Sequence, residues 1–105
     1  MPFCPWYPLS DAGAHAPAAE GVLQVRIADG LLDYPRGKSA MVHYEHAADV
    51  RAAATALARR VGDSGGLLCR HLELEAGERS DAATIYEKVR DEFVRRFGAP
   101  PGFPP

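Results

Sequence analysis

Hydrophobic and polar residues alternate along the segment GVLQVRI, at positions 21–27 of the chain. Leu23, Val25 and Ile27 fall on one face of an extended chain, and the two polar residues between them fall on the other. A period of two is typical of a strand that is buried on one face. The segment therefore predicts a first strand that lays one face on the core.

Two further segments predict strands. The segment SAMVHYEHA, at 39–47, follows a turn signal at 35–37 that contains proline and glycine. The segment LLCRHLEL, at 67–74, follows the glycine-rich sequence GDSGG and places Arg70 on the same face as its alternate leucines. We expect these segments to be the second and third strands, while LLDY at 31–34 extends the first strand or pairs back on it.

Apolar residues recur every three or four positions in two other segments, as in amphipathic helices. The first segment spans 49–61 and is rich in alanine. The second begins after a capping residue, Ser80 or Asp81, and ends at Gly98. Together with the strands, they predict the order β-β-α-β-α.

The two ends of the chain differ from this central unit at 21–98. Residues 1–20 contain four prolines and predict an irregular arm, because proline cannot donate a hydrogen bond to a ladder. The arm also carries the aromatic residues Phe3, Trp6 and Tyr7, and a solvated tail rarely contains so many aromatic side chains. We expect it to pack on its own domain, on a protein partner or on a second copy of the chain. Residues 99–105 form a proline-rich tail.

The composition predicts one small globular domain. The chain has 105 residues, of which 47% are hydrophobic and 25% are charged, as in typical globular domains. No apolar run approaches the length that crosses a bilayer, and the first residues lack the pattern of an export signal. We therefore expect a cytoplasmic protein without a membrane partner, in which Cys4 and Cys69 are free thiols.

The charge of the chain gives no general attraction to nucleic acid. The formal net charge is −2, whereas dedicated nucleic-acid binders are usually basic. The last helix carries four basic residues between 88 and 96, but acidic residues lie among them. A contact with DNA is possible only through a local patch of this kind.

Several phrases of the chain, taken in order, resemble the GIY-YIG nuclease superfamily. They are the GV that opens the first strand, YPRGKSAMV, ADVRAA, LLCRHLEL, and RRFGAPP at the end of the last helix. The resemblance covers residues 21–98. It implies a small α+β domain in which a three-stranded antiparallel sheet is flanked by two helices. In active members it also implies metal-dependent cleavage of one DNA strand.

The resemblance also assigns catalytic roles to positions of this chain. Active members use a tyrosine from each half of the signature, together with an arginine on the next helix. Leu23 stands at the first tyrosine and His43 at the second, so that Tyr44 is the middle residue of its half. A direct count places Ala53 at the arginine position, and Arg51 lies two residues earlier.

The metal-binding part of the pattern is also incomplete. Glu87 is the nearest match to the glutamate that holds a divalent cation, with Asp91 one turn later. The asparagine that many members carry after the last helix is absent from residues 98–105. Since the loss of one electrostatic stabiliser lowers a rate about a hundredfold or more, we expect a catalytically degenerate domain. It would act as a binding or protein-interaction module and need no cofactor.

Two alternative functions stay open. The first is an active DNA endonuclease with a rearranged site, in which His43 or Tyr44 is the base and Arg51 contacts the phosphate. Glu87 would then hold Mg²⁺ or Mn²⁺. The second alternative is a ferredoxin-like dimer whose sheet binds a small ligand, and it requires a further strand.

A metal site of a different kind is a further possibility. His43 and Glu45 share one face of the second strand, as Cys69 and His71 share one face of the third. If the two faces coincide on neighbouring strands, these side chains would converge, and imidazole and thiolate are the usual ligands of zinc. The competing interpretations are a general base at His43 and a small buried thiol at Cys69.

Overall fold

The computed structural model describes residues 3–62, 66–72 and 81–104. The strands in these residues are β1 (Tyr7–Pro8), β2 (Gly21–Ile27), β3 (Leu32–Tyr34), β4 (Gly37–Ser39), β5 (Met41–Ala47) and β6 (Leu67–His71). The helices are α1 (Ala12–His15), α2 (Val50–Val61) and α3 (Ala82–Phe97), and a 3-10 turn at Leu9–Asp11 precedes α1.

Four antiparallel strands form the main sheet, in the order β1-β6-β2-β5, and β3 and β4 form a separate hairpin. The central strand β2 pairs with β5 through Gln24 opposite Tyr44, and with β6 through Gln24 opposite Arg70. Residues that lie opposite each other share a face of a sheet. The register therefore aligns these three polar side chains across one face.

The predicted α+β class and antiparallel sheet are confirmed, but the sheet is larger than three strands and the described helices number three. The additional strand is β1, in which Tyr7 lies opposite Cys69. Pro8 has no N–H to donate, and it is tolerated because β1 lies at the edge of the sheet. A strand of two residues has no alternation to reveal it, which is why the sequence pattern did not predict it.

Helices α2 and α3 lie where the apolar spacing predicted them. Asp49 caps α2 by accepting a hydrogen bond from the Ala52 N–H at 2.9 Å, and Asp81 caps α3 by accepting one from the Thr84 N–H at 2.7 Å. Gly98 ends α3 with a φ of 84°, a conformation that glycine adopts without strain. Within the described ranges, no helix combines the length and the apolar character needed to cross a membrane.

Strand β2 is covered on both faces, so the prediction of a half-buried strand is wrong. Leu23 and Val25 lie in the core with α2, whereas Val22 lies in a second cluster with α3. Gln24, predicted to face solvent, is only 3% exposed. Because successive side chains of a strand point to opposite faces, the sheet lies between α2 and α3.

Residues 3–20 pack on the domain itself. Leu9, Ala12 and Ala16 are each at most 1% exposed, and all three belong to the core on the α2 face. Phe3 forms an antiparallel bridge with Leu72, just beyond β6. The N-terminal segment thus supplies an edge strand and part of the core.

Candidate anion-binding site

His43 and Glu45 form a pair on β5. The Nε2 atom of His43 lies 2.8 Å from Oε1 of Glu45, and the two side chains are partly exposed. The pair lies opposite Val25 and Leu23 of β2, which places it on the face that meets α2. The His43 ring also lies near Phe103 of the C-terminal tail, with ring centroids 6.2 Å apart.

The sheet separates the four residues of the predicted nuclease site into two groups. Tyr44 lies on the α3 face, where its ring is 5.6 Å from that of Phe93, and Glu87 is exposed on α3. Arg51 lies on α2, and its Nε donates to the Ala16 carbonyl at 2.8 Å. Tyr44 and Glu87 are therefore on the side of the sheet opposite to His43 and Arg51.

The residues considered for zinc share a face of the sheet but not a site. Glu45 and His71 both lie opposite Leu23, and His43 and Cys69 both lie opposite Val25. Strand β2 thus separates the two sets, and two strand spacings amount to about 10 Å. The described residues contain no group of three histidine, cysteine or acidic side chains that could hold a metal ion.

The cavity of greatest chemical interest lies between α3 and the sheet, and its volume is about 450 Å³. The sheet contributes Gln24, Tyr44 and Arg70, the three polar residues that the strand register aligns. The remaining lining residues come from the N-terminal segment and from α3, and they are Phe3, Val89, Glu92, Phe93, Arg96 and Phe97.

Arg70 is the central cation of this cavity. Its Nε donates to Oε1 of Gln24 at 2.7 Å, and its guanidinium stacks on Phe3 and Trp6, at 4.7 Å and 4.4 Å from the ring centroids. Burial lowers the pKa of Arg70, but an arginine side chain stays charged at neutral pH. None of the described carboxylates forms a salt bridge with it.

A second guanidinium contacts the same indole ring. Trp6 contacts Arg26 as well as Arg70, since the Arg26 Cζ is 5.0 Å from the indole centroid. The Nε atom of Arg26 is buried and has no hydrogen-bond partner among the described residues. A buried unsatisfied donor costs about 1–3 kcal/mol. The α3 face therefore holds two guanidinium groups that form no salt bridge with a described carboxylate, and one of them has a buried N–H without a described acceptor.

Tyr44 adds a neutral donor to the cavity. Burial raises the pKa of Tyr44 to about 12, with the nearby Arg70 acting in the opposite direction. The hydroxyl group is therefore protonated at neutral pH and can donate a hydrogen bond. Because Oε1 of Gln24 already accepts from Arg70, the amide nitrogen of Gln24 is a further donor. The sheet side of the cavity thus consists of donors.

The sequence contained one sign of this site. Arg70 falls on the face of its strand that otherwise carries leucines. A charged residue at such a position is rarely buried unless it has a partner. Trp6 and Phe3 gave no such sign, because their contacts with Arg70 join opposite ends of the chain.

Neither protein-family models nor curated proteins match the chain. The resemblance to the GIY-YIG nuclease superfamily therefore stays a prediction from the sequence.

Proposed function

We propose that this domain is a binding module for a small organic oxyanion, a carboxylate or a phosphate attached to a flat ring. The ligand would occupy the cavity between α3 and the sheet. The observation that carries the proposal is the half-buried Arg70, which lines this cavity without a carboxylate partner among the described residues.

The proposal that the ligand is an anion follows from the partial desolvation of Arg70. A cation that leaves water loses solvation energy, and an anion that binds it restores much of this energy. The planar guanidinium group of arginine matches the geometry of carboxylate and phosphate oxygens. Tyr44 and Gln24 can donate to the same oxygens, and Arg96 adds a second cation to the lining of the cavity.

The walls of the cavity favour a ring next to the anionic group. Phe3, Phe93 and Phe97 all line it, and aromatic rings pack well against flat ligands. A volume of about 450 Å³ lies in the range of small-molecule sites and suits a ligand the size of a mononucleotide. Glu92 is the acidic residue of the lining, and with Arg70 and Arg96 in the same lining the cavity keeps a net positive charge.

This proposal makes the predicted degenerate module more specific. Leu23 has no exposed surface, and the sheet separates His43 and Arg51 from Tyr44 and Glu87, which supports binding over phosphodiester cleavage. We expect no nicking of supercoiled plasmid by the protein in Mg²⁺ or Mn²⁺. Nicking that disappears in Glu87→Ala would favour the endonuclease instead.

Isothermal titration calorimetry tests the proposal. The ligands are a 5′-mononucleotide, benzoate and inorganic phosphate, which distinguish a ring-bearing phosphate, a ring-bearing carboxylate and the anion alone. We expect Arg70→Met to lower the affinity for the tightest-binding of these ligands about ten- to a hundredfold, since a hydrogen bond to a charged group contributes about 1.5–3 kcal/mol.

The matched control is Arg60→Gln, which removes one positive charge from the exposed end of α2. This variant keeps the affinity if binding depends on the cavity and not on net charge. Equal losses in Arg70→Met and Arg60→Gln, or no heat with any of the three ligands, would contradict the proposal.

A protein partner for the N-terminal segment stays a separate prediction. Phe3 and Trp6 already stack on arginine within the domain, so the segment needs no partner to cover these rings. The molecular mass in solution tests self-association, including the ferredoxin-like dimer.

A further inference from the structure

Cys4 and His71 face each other where the N-terminal segment meets β6. The Cys4 N–H donates to the His71 carbonyl at 3.0 Å, and the His71 N–H donates to Sγ of Cys4 at 3.3 Å. The imidazole Nδ1 of His71 lies 3.4 Å from the same sulfur. Two nitrogens of one residue therefore approach the thiol.

The imidazole of His71 is held in place by a second group. His71 is 5% exposed, and the Tyr7 hydroxyl lies 3.0 Å from its Nδ1. Burial raises the pKa of Tyr7 well above its ordinary value, so this hydroxyl stays neutral. The hydroxyl also forms a hydrogen bond with the Cys69 sulfur, and donation to that sulfur leaves the lone pair of Nδ1 to accept the thiol proton. The ring of His15 lies against Tyr7, with centroids 5.1 Å apart. These contacts orient the imidazole beside the sulfur.

A cavity of about 320 Å³ adjoins this cysteine and histidine pair. Its lining residues are Cys4, Pro5, Trp6, Tyr7, His15 and His71. Since Cys4 is only partly buried, a small molecule in the cavity can reach the sulfur.

The second thiol of the chain provides a comparison. Cys69 lies two residues before His71 and has no exposed surface. Burial raises the pKa of Cys69 to about 11, and it lines neither this cavity nor the one beside α3. A thiol that is protonated and inaccessible is unreactive.

We propose that Cys4 is a reactive thiol that exchanges with low-molecular-mass disulfides, and that His71 accepts its proton. Nδ1 of His71 takes the thiol proton, and the Cys4 thiolate attacks one sulfur of the external disulfide. A new bond joins Cys4 to that sulfur while the external S–S bond breaks, and the departing thiolate takes a proton. Cys4 is oxidised and half of the external disulfide is reduced, so the exchange needs no other oxidant.

The pair lies among titratable and charged groups of several elements. The titratable groups on the β-strands near it are Tyr7 of β1 and Cys69 and Arg70 of β6. On the α2 side, His15, Glu20 and Arg51 line a second cavity together with His71. Arg51 and Arg70 are the permanent cations in this set and Glu20 is the acid, and Arg70 interacts electrostatically with Cys4. A nearby positive charge stabilises a thiolate over a thiol. Arg70 also lines the anion cavity, and Trp6, which stacks on Arg70, lines the cavity beside Cys4. The thiol exchange itself does not rest on the function proposed for the anion cavity.

The test is incubation of the full chain with glutathione disulfide, followed by intact-mass measurement. We expect a mass increase of one glutathionyl group in the native protein and in Cys69→Ser, and none in Cys4→Ser. Labelling that persists in Cys4→Ser, or that disappears in Cys69→Ser, would overturn the proposal.

The role of His71 is tested by the rate of alkylation with iodoacetamide as a function of pH. We expect His71→Gln to lower the rate at neutral pH about tenfold and to move the midpoint of the profile toward the ordinary thiol pKa of about 8.5. An unchanged rate and midpoint would refute this role. If circular dichroism shows that His71→Gln is unfolded, the pH profile of alkylation of the native protein tests the proposal instead. A midpoint at or above about pH 8.5 is that of an ordinary thiol and would refute activation of Cys4.

Discussion

The two faces of the main sheet differ in chemistry although the same strands form both. The face that meets α2 carries Leu23 and Val25, which have no exposed surface. The face that meets α3 carries Gln24, Tyr44 and Arg70 around a cavity. Alternation along a strand allows this division, because neighbouring residues serve different layers. The α2 face holds the larger apolar cluster, whereas the α3 face combines a smaller apolar cluster with the polar cavity.

The largest expected effect on the free energy of unfolding follows a substitution in the core between α2 and the sheet. Leu57 of α2 is 2% exposed and lies in the core, so Leu57→Ala removes buried methyl groups and leaves a cavity. We expect the free energy of unfolding to fall by about 2–5 kcal/mol, measured by urea denaturation. The exposed Arg60→Ala on the same helix is the control, and it should change the value by less than about 0.5 kcal/mol.

A smaller effect is expected when α2 loses its N-cap. The Asp49 carboxylate accepts the Ala52 N–H, and Asp49→Ala should lower the free energy of unfolding by about 1 kcal/mol. Asp49→Asn keeps an acceptor at the same place and should be nearly neutral. Equal losses in both variants would show that the charge of Asp49, and not its cap, is what matters.

The polar face predicts a dependence of stability on high pH. Folding raises the pKa of Tyr44 from 10.0 to about 12, so its contribution to stability is complete below pH 10 and disappears as the pH approaches 12. Urea denaturation just below pH 10 and near pH 12 should show a smaller loss in Tyr44→Phe than in the native chain. Parallel curves for the two proteins would mean that the tyrosine hydroxyl is solvated.

The smallest effect on stability is expected at Arg70, where the effect on binding is the largest. Arg70→Met removes one hydrogen bond and two stacking contacts, but it also removes the desolvation cost of a cation. We expect the free energy of unfolding to change by less than about 1 kcal/mol. A loss as large as that of Leu57→Ala would assign Arg70 to the structural core and end the distinction between the faces.

Local signals made much of the fold predictable. Each helix begins or ends at residues that lie within a few positions of it in the sequence. Asp49 and Asp81 cap the starts of α2 and α3, and Gly98 ends α3. Strand β2 was predicted with its bounds, since its alternation is regular. The burial of its second face was not predicted, because it depends on where α3 packs. Packing between segments that are distant in sequence produces no periodic pattern in the sequence.

The candidate site was less predictable than the fold. The predicted catalytic residues came from a resemblance along the sequence, and they alternate between the two sides of the sheet. The cavity instead depends on contacts between Arg70 and the aromatic residues Phe3 and Trp6. The sequence predicted that the arm packs on its own domain, on a partner or on a second copy, but not which residues its rings contact. A cation on a leucine face was visible in the sequence, but its partners were not.

The proline at the end of β1 has a consequence for how molecules of this protein meet one another. With Pro8 and only two residues in its outer strand, the sheet presents little backbone there for a second chain to continue. At the opposite end, β5 carries an irregularity of register and the polar pair His43 and Glu45. Both borders therefore discourage the strand-by-strand growth that produces fibrils.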